Sequence, residues 1–134
     1  MSETEAFFDT NVLVYLISAD EAKSGPAEAL LASGGVVSVQ VLNEFVAVAE
    51  RKFRIALPTI KTILSTVRAV CHVTPLDLET HDLGLALVER CGFSIYDGLI
   101  VAAAQQAGCR MLYTEDLQDG QIIDGLTIRN PFQN

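Results

Sequence analysis

Four carboxylates fall at positions where they could act together. Asp9 directly follows the apolar run Ala6-Phe7-Phe8, and Asp116 lies three residues beyond Tyr113 in Met111-Leu112-Tyr113. Asp97 sits in the first turn of the most apolar helical stretch, Ser94-Ile95-Tyr96-Asp97-Gly98-Leu99-Ile100. Glu44 interrupts an apolar helical face between Leu42 and Phe45. A buried, unpaired carboxylate costs roughly several kcal/mol, on the order of a whole protein's stability. Bases to pair with are scarce: no Lys or Arg lies within five residues of Asp9, Asp97 or Asp116. A hard divalent cation would satisfy several carboxylates at once through oxygen ligands. The chemistry these residue types suggest is therefore that of a divalent-cation site.

Each acid also has an ordinary reading. Asp9 can cap the helix that follows it. Asp97 can be a first-turn acid favoured by the helix dipole. Asp116 can be a turn residue in Thr114-Glu115-Asp116-Leu117, and Glu44 can lie at the edge of its apolar face. The metal reading therefore draws on the set and not on any one member. Other reactive types offer less. His72 and His81 are isolated from any nucleophile. Cys71, Cys91 and Cys109 are odd in number and in no metal-ligand spacing, and read as small buried hydrophobes. Arg51, Lys52 and Arg54 form the one basic cluster. They could touch phosphates, or serve the helix C-terminal dipole and the solvated surface.

The elements that must position these residues alternate in type. Strands are predicted at Ala6-Phe7-Phe8, Val36-Val37-Ser38, Cys71–Thr74, Met111-Leu112-Tyr113 and Leu126-Thr127-Ile128. Helices are predicted at Asn11–Ile17, capped by Asp9 or Thr10, and from Ser24-Gly25-Pro26 through Leu31, with Gly34-Gly35 as the stop. Further helices run from Val39 to about Lys52, Pro58–Val70, Asp77–Arg90 ended by Gly92, and Ser94–Ala107 ended by Gly108. Alternation of this kind predicts an α/β fold, a three-layer α/β/α sandwich around a central, mainly parallel sheet. Ligands in such sheets bind beyond the carboxyl ends of the strands, where Asp9 and Asp116 fall.

With 134 residues, half of them hydrophobic, the chain suits one domain spanning 1–134 with a sizeable core. The acidic opening Met1-Ser2-Glu3-Thr4-Glu5 is unlike a secretory signal, and no apolar segment reaches the ~18–20 residues that span a bilayer, so a cytoplasmic location and no membrane partner are expected. Nine Lys and Arg against seventeen Asp and Glu give a net charge of −8, which by itself argues against nucleic-acid binding. Bound cations that neutralise part of that charge and meet the phosphate themselves would remove the objection.

Four stretches, in order, resemble the PIN-domain family and within it the VapC-type toxins. They are Phe8-Asp9-Thr10-Asn11-Val12-Leu13, Ser38-Val39-Gln40-Val41-Leu42-Asn43-Glu44-Phe45, Tyr96-Asp97-Gly98-Leu99-Ile100-Val101-Ala102-Ala103-Ala104 and Leu112-Tyr113-Thr114-Glu115-Asp116. The resemblance implies a ribonuclease whose acids, here Asp9, Glu44, Asp97 and Asp116, hold Mg²⁺ or Mn²⁺, with Thr10, Asn11 and Thr114 supporting them by hydrogen bonds. Asp119 is a second candidate for the fourth acid. It also implies a homodimer and an antitoxin partner. Alternatives are an RNA-processing PIN nuclease without an antitoxin and a non-catalytic PIN-fold binding module. A haloacid-dehalogenase-type phosphatase would want an Asp two residues after Asp9, where Asn11 stands. A response-regulator receiver would want a late Lys, and the last is Lys61.

Overall fold

The computed structural model describes residues 6–133; the acidic opening Met1–Glu5 lies outside them. Six strands, β1 (Ala6–Phe8), β2 (Gly35–Ser38), β3 (Cys71–Thr74), β4 (Met111–Tyr113), β5 (Ile122–Ile123) and β6 (Leu126–Arg129), form one sheet in the order β3-β2-β1-β4-β6-β5. Every pairing is parallel except β5 with β6. Between the strands lie α1 (Thr10–Val14), α2 (Glu21–Ala32), α3 (Val39–Arg51), α4 (Leu57–Val70), α5 (Leu78–Cys91) and α6 (Ile95–Gln106).

The strand order dictates the layering. The first two crossovers, β1 to β2 and β2 to β3, step the same way along the sheet, whereas β3 to β4 returns across it. Right-handed connections then place α1–α4 on one face and α5–α6 on the other. β1 is thus the switch point of the sheet, and the carboxyl ends of β1 and β4 border the crevice where such folds bind ligands. Phe7, Val36, Leu112 and Ile128 are buried in the sheet, with Leu13, Phe45, Ile60 and Val101 packed from the helices.

Side-chain caps set most helix starts. Ser38 accepts a hydrogen bond from the Val41 amide, Ser94 from that of Asp97, and Asp77 forms a capping box with Thr80. Gly92, at φ 79°, ends α5 in the left-handed region. Three expectations need correction. The second helix starts at Glu21, capped by Asp20, so Ser24-Gly25-Pro26 lies inside it. Only the first part of Asn11–Ile17 is α-helical; Tyr15–Ile17 tightens into a 3-10 turn. Gly35 belongs to β2 and is there for space: a Cβ on it would lie 2.6 Å from the Phe8 ring. The sheet also gains β5, which sequence periodicity does not predict. It joins β6 through Asp124-Gly125, both at positive φ, a pair that favours a tight hairpin.

No described helix is long and apolar enough to cross a membrane.

Candidate metal centre

Asp9 stands where β1 ends and α1 begins. Its amide continues the sheet by donating to the Tyr113 carbonyl at 3.0 Å. Its carboxylate accepts from the Thr10 amide at 2.7 Å and from the Thr114 hydroxyl at 2.8 Å. The side chain therefore caps α1 and also reaches across to the strand beside it, so the ordinary role and the site role coexist. Asp9 is only 5% exposed. Burial is the main reason its carboxyl is pushed up to about 7, against the opposing hydrogen bonds from Thr114 and Thr10; the charges of Asp116 and Glu44 push it further the same way.

Thr114, fully buried just past β4, is the hub of the network. While donating to Asp9, its oxygen accepts from the Asn11 amide group at 3.2 Å and from the Asp116 backbone amide at 3.0 Å. Asn11 also donates to the Asp116 carboxylate at 3.0 Å. The two strand ends are thereby tied together by side chains more than a hundred positions apart in the chain.

Glu44 enters from α3. One carboxylate oxygen accepts from the Thr10 hydroxyl at 2.7 Å and the other from the Gln40 side chain at 3.1 Å. Gln40 precedes Glu44 by one helical turn, so the two share a face; it is buried and its amide group also reaches the Tyr96 carbonyl at 3.4 Å. That contact links α3 to the first turn of α6, where Asp97 stands. The Asp97 carboxyl is raised from its ordinary value by burial first, and also by the charges of Asp116 and Glu44, against a lowering hydrogen bond with Ser94. Gly98 lets this turn approach α5: a Cβ there would lie 2.8 Å from the Gly84 carbonyl oxygen.

Asp9, Thr10, Asn11, Glu44, Thr114 and Asp116 thus form one hydrogen-bonded network, and Asp97 is coupled to it by charge. Asp119 is engaged elsewhere, accepting from the Asn130 amide at 2.7 Å. Arg51 and Lys52 lie at the end of α3, followed by Arg54 at φ 56°. Gln40 is the site-forming residue that the sequence reading passes over, although its position four before Glu44 is a usable signal. The ion pairs among the described residues, Lys23–Glu115 and Arg90–Asp124, involve none of the four acids.

A donor set of carboxylates in which the pKa values of Asp9 and Asp97 are raised by burial and by the charges of Glu44 and Asp116, with no described basic partner, suits a hard divalent cation. Among the described residues no three His, Cys, Asp or Glu side chains are close enough to hold an ion together as they stand; Mg²⁺ is commonly held by one or two carboxylates with water completing its shell. A separate cavity of about 450 Å³, lined in part by His72, Thr74, Asp77 and Glu79 at the β3 edge, shares no residue with this network.

No curated protein matches the chain by sequence. Among solved structures, a toxin–antitoxin complex from Klebsiella pneumoniae is similar at 25% identity and a TM-score of 0.71, covering 95% of this chain and 98% of that one. VapC20 of Mycobacterium tuberculosis, described as a toxin that cleaves the sarcin-ricin loop, is similar at 20% identity and a TM-score of 0.67, covering 84% of this chain and 92% of that one. VapBC2 from Rickettsia felis, bound to a DNA fragment of its promoter, is similar at 20% identity and a TM-score of 0.64, covering 93% and 97%. The PIN domain family model matches residues 6–118. A model match over most of the length, with VapC toxins among the structural neighbours, establishes that the chain belongs to the PIN-domain family.

Proposed function

We propose that the chain is a divalent-cation-dependent endoribonuclease and the toxin of a toxin–antitoxin pair. The observation that carries the proposal is the buried Asp9 carboxylate, crowded by Glu44 and Asp116 charge and tied to the Thr114 hub. A site that only needed stability would not concentrate acids in this way. Family membership and the toxins among the structural neighbours support the same reading.

In this reading Asp9, Glu44, Asp97 and Asp116 hold Mg²⁺ or Mn²⁺. When bound, the cation lowers the pKa of water and offsets charge developing on the phosphoryl oxygens. The protein's part is to aim the ligands. Thr114 and the Thr10 amide fix Asp9, Thr10 and Gln40 fix Glu44, Asn11 steadies Asp116, and Ser94 anchors the turn that bears Asp97. Attack of water on phosphorus with the 3′ oxygen leaving gives 5′-phosphate and 3′-hydroxyl ends. The basic residues Arg51, Lys52 and Arg54 are candidates to meet the RNA backbone. An antitoxin is the expected protein partner, by likeness to the toxin–antitoxin complex from Klebsiella pneumoniae, and a second copy of the chain is expected from the resemblance to the VapC-type toxins.

The test is cleavage of a labelled RNA panel with Mg²⁺, with Mn²⁺ and with EDTA, beside Asp97→Asn. The reading expects cutting that needs the cation and is lost in the variant, with 5′-phosphate products. Full metal-dependent cutting by Asp97→Asn would overturn the ligand assignment. No cutting of any RNA and no calorimetric binding of either cation would leave a binding module in place of a nuclease. Growth arrest on expression, relieved by the product of a small neighbouring gene, distinguishes a toxin from an RNA-processing nuclease.

A further inference from the structure

A cavity of about 320 Å³ opens beside the acids, and Asn11, Asp116, Tyr15, Val48, Lys52 and Phe53 are among its lining residues. We propose that it is a nucleotide subsite, taking one nucleotide of single-stranded RNA next to the cleaved phosphate. Its base would lie against Phe53 and its phosphate would meet Lys52. This rests on the nuclease reading above and adds residues that the acids alone do not supply.

Position is the first argument. Asn11 and Asp116 belong both to the acid network and to the cavity lining, so an RNA strand whose phosphate sits at the acids has this space for its neighbouring residue. Size is the second: the volume lies at the low end of the ~300–1,000 Å³ usual for small-ligand pockets, enough for one residue and not for a folded RNA element.

The chemistry of the walls is the third. Lys52 is the one Lys or Arg in the lining, and Arg51 and Arg54 lie outside it. Its ammonium rests 5.8 Å from the centroid of the Phe53 ring, within cation–π reach. Turning that ammonium onto a phosphate uncovers an aromatic face, and bases stack on such faces with little regard to sequence. Tyr15 also lines the cavity; its hydroxyl donates to Glu115 at 2.6 Å and accepts from Lys23 at 3.0 Å, and its ring is edge-on to Phe132 at 4.7 Å. This holds the wall in place. Lys23 also pairs with Glu115 at 3.3 Å, offsetting a carboxylate that would otherwise face the RNA backbone from the lining.

The probe is a fluorescein-labelled pool of random single-stranded RNA, with binding read by anisotropy in EDTA at several salt concentrations. Lys52→Gln should weaken binding and flatten the plot of log affinity against log salt by about 0.7. Phe53→Leu, which keeps an apolar side chain, should weaken binding on the order of tenfold without changing that slope. Arg68→Gln makes the same charge change on the exposed last turn of α4, outside the cavity, and should leave affinity within about twofold. Thermal melts confirm that each variant is folded. With Mg²⁺ present, Lys52→Gln and Phe53→Leu should raise KM and leave kcat near that of the unaltered protein. Equal losses in Lys52→Gln and Arg68→Gln, or none in Phe53→Leu, would overturn the subsite while the nuclease reading stands. The expected binding pattern without cleavage under any cation would keep the subsite and overturn the nuclease. No RNA binding by the unaltered protein would overturn the subsite directly.

Discussion

Replacing Asp9 with Asn tests the buried carboxylate through the pH dependence of stability. In the fold the carboxyl titrates near 7, against 3.8 as its ordinary value. Between these two values the unfolded chain has released the proton and the folded chain still holds it, so stability falls as pH rises through this window and is fully present only below it. At 1.36 kcal/mol per pH unit, the fold at pH 8 is about 4 kcal/mol less stable than in the fully protonated limit, and about 3 kcal/mol of that loss falls between pH 5 and pH 8. Asp9→Asn cannot ionise and lacks this slope. It also disturbs the hydrogen bond from Thr114, a local cost of about 1–2 kcal/mol, but that cost is the same at both pH values. Urea unfolding followed by circular dichroism in EDTA, at fixed protein concentration, gives the comparison. The variant should gain about 3 kcal/mol on the parent between pH 5 and pH 8. Saturating Mg²⁺ should then stabilise the parent at pH 8, by about 2.7 kcal/mol at a hundredfold excess over Kd, and stabilise the variant far less. A difference between the two proteins that stays flat within about 0.5 kcal/mol from pH 5 to pH 8 would refute the claim that burial holds this carboxyl near neutrality.

Three further outcomes are expected. Gly98→Ala places a methyl 2.8 Å from the Gly84 carbonyl oxygen; separating α5 and α6 should cost about 1–3 kcal/mol, seen as a lower thermal midpoint, and should reduce metal-dependent cleavage by moving Asp97. Thr114→Val removes the donor to Asp9 and the acceptor of Asn11 and the Asp116 amide; a loss of about 1–3 kcal/mol in urea titration is expected, and unchanged stability would argue against the hub. Asp116→Asn should lower cleavage at least about tenfold, whereas Asp119→Asn, whose side chain bonds the Asn130 amide, should leave the rate nearly unchanged; the reverse order in a cleavage time course would exchange their roles.

Local features of the fold are legible in the sequence because local forces make them. Ser38, Asp77 and Ser94 cap helices next to apolar periodic runs, and the alternation of runs with strands points to the parallel sheet. The start of α2 is misread because Pro26 suggests a first helical turn, while Asp20 followed by the acidic Glu21 is the signal that prevails. β5 is two residues long and carries no period of its own, though Asp124-Gly125 between apolar residues marks its hairpin. The acids themselves stand out as charges set in apolar sequence. Their meeting does not, since Asp9 reaches Thr114 only because β4 lies beside β1, a matter of strand order. The cavity of Tyr15, Lys52 and Phe53 is likewise assembled by tertiary packing, and the basic cluster alone does not single out Lys52.

The pairing of β1 with β4, in register from Ala6 with Met111 to Phe8 with Tyr113, has a consequence for synthesis. The first acid is translated about a hundred residues ahead of its partners, since Asp9 and Thr114 are 105 positions apart. At ~5–20 residues per second, on the order of 5–20 s separate the appearance of Asp9 from that of Thr114 and Asp116. Throughout that interval the emerging polypeptide has no Thr114 to hold Asp9 and no fourth acid. A ribosome-bound fragment that stops short of β4 therefore cannot assemble the centre, and neither can a prematurely terminated product. On the proposed nuclease reading, the unfinished chain would lack its cutting site for as long as β4 is unmade.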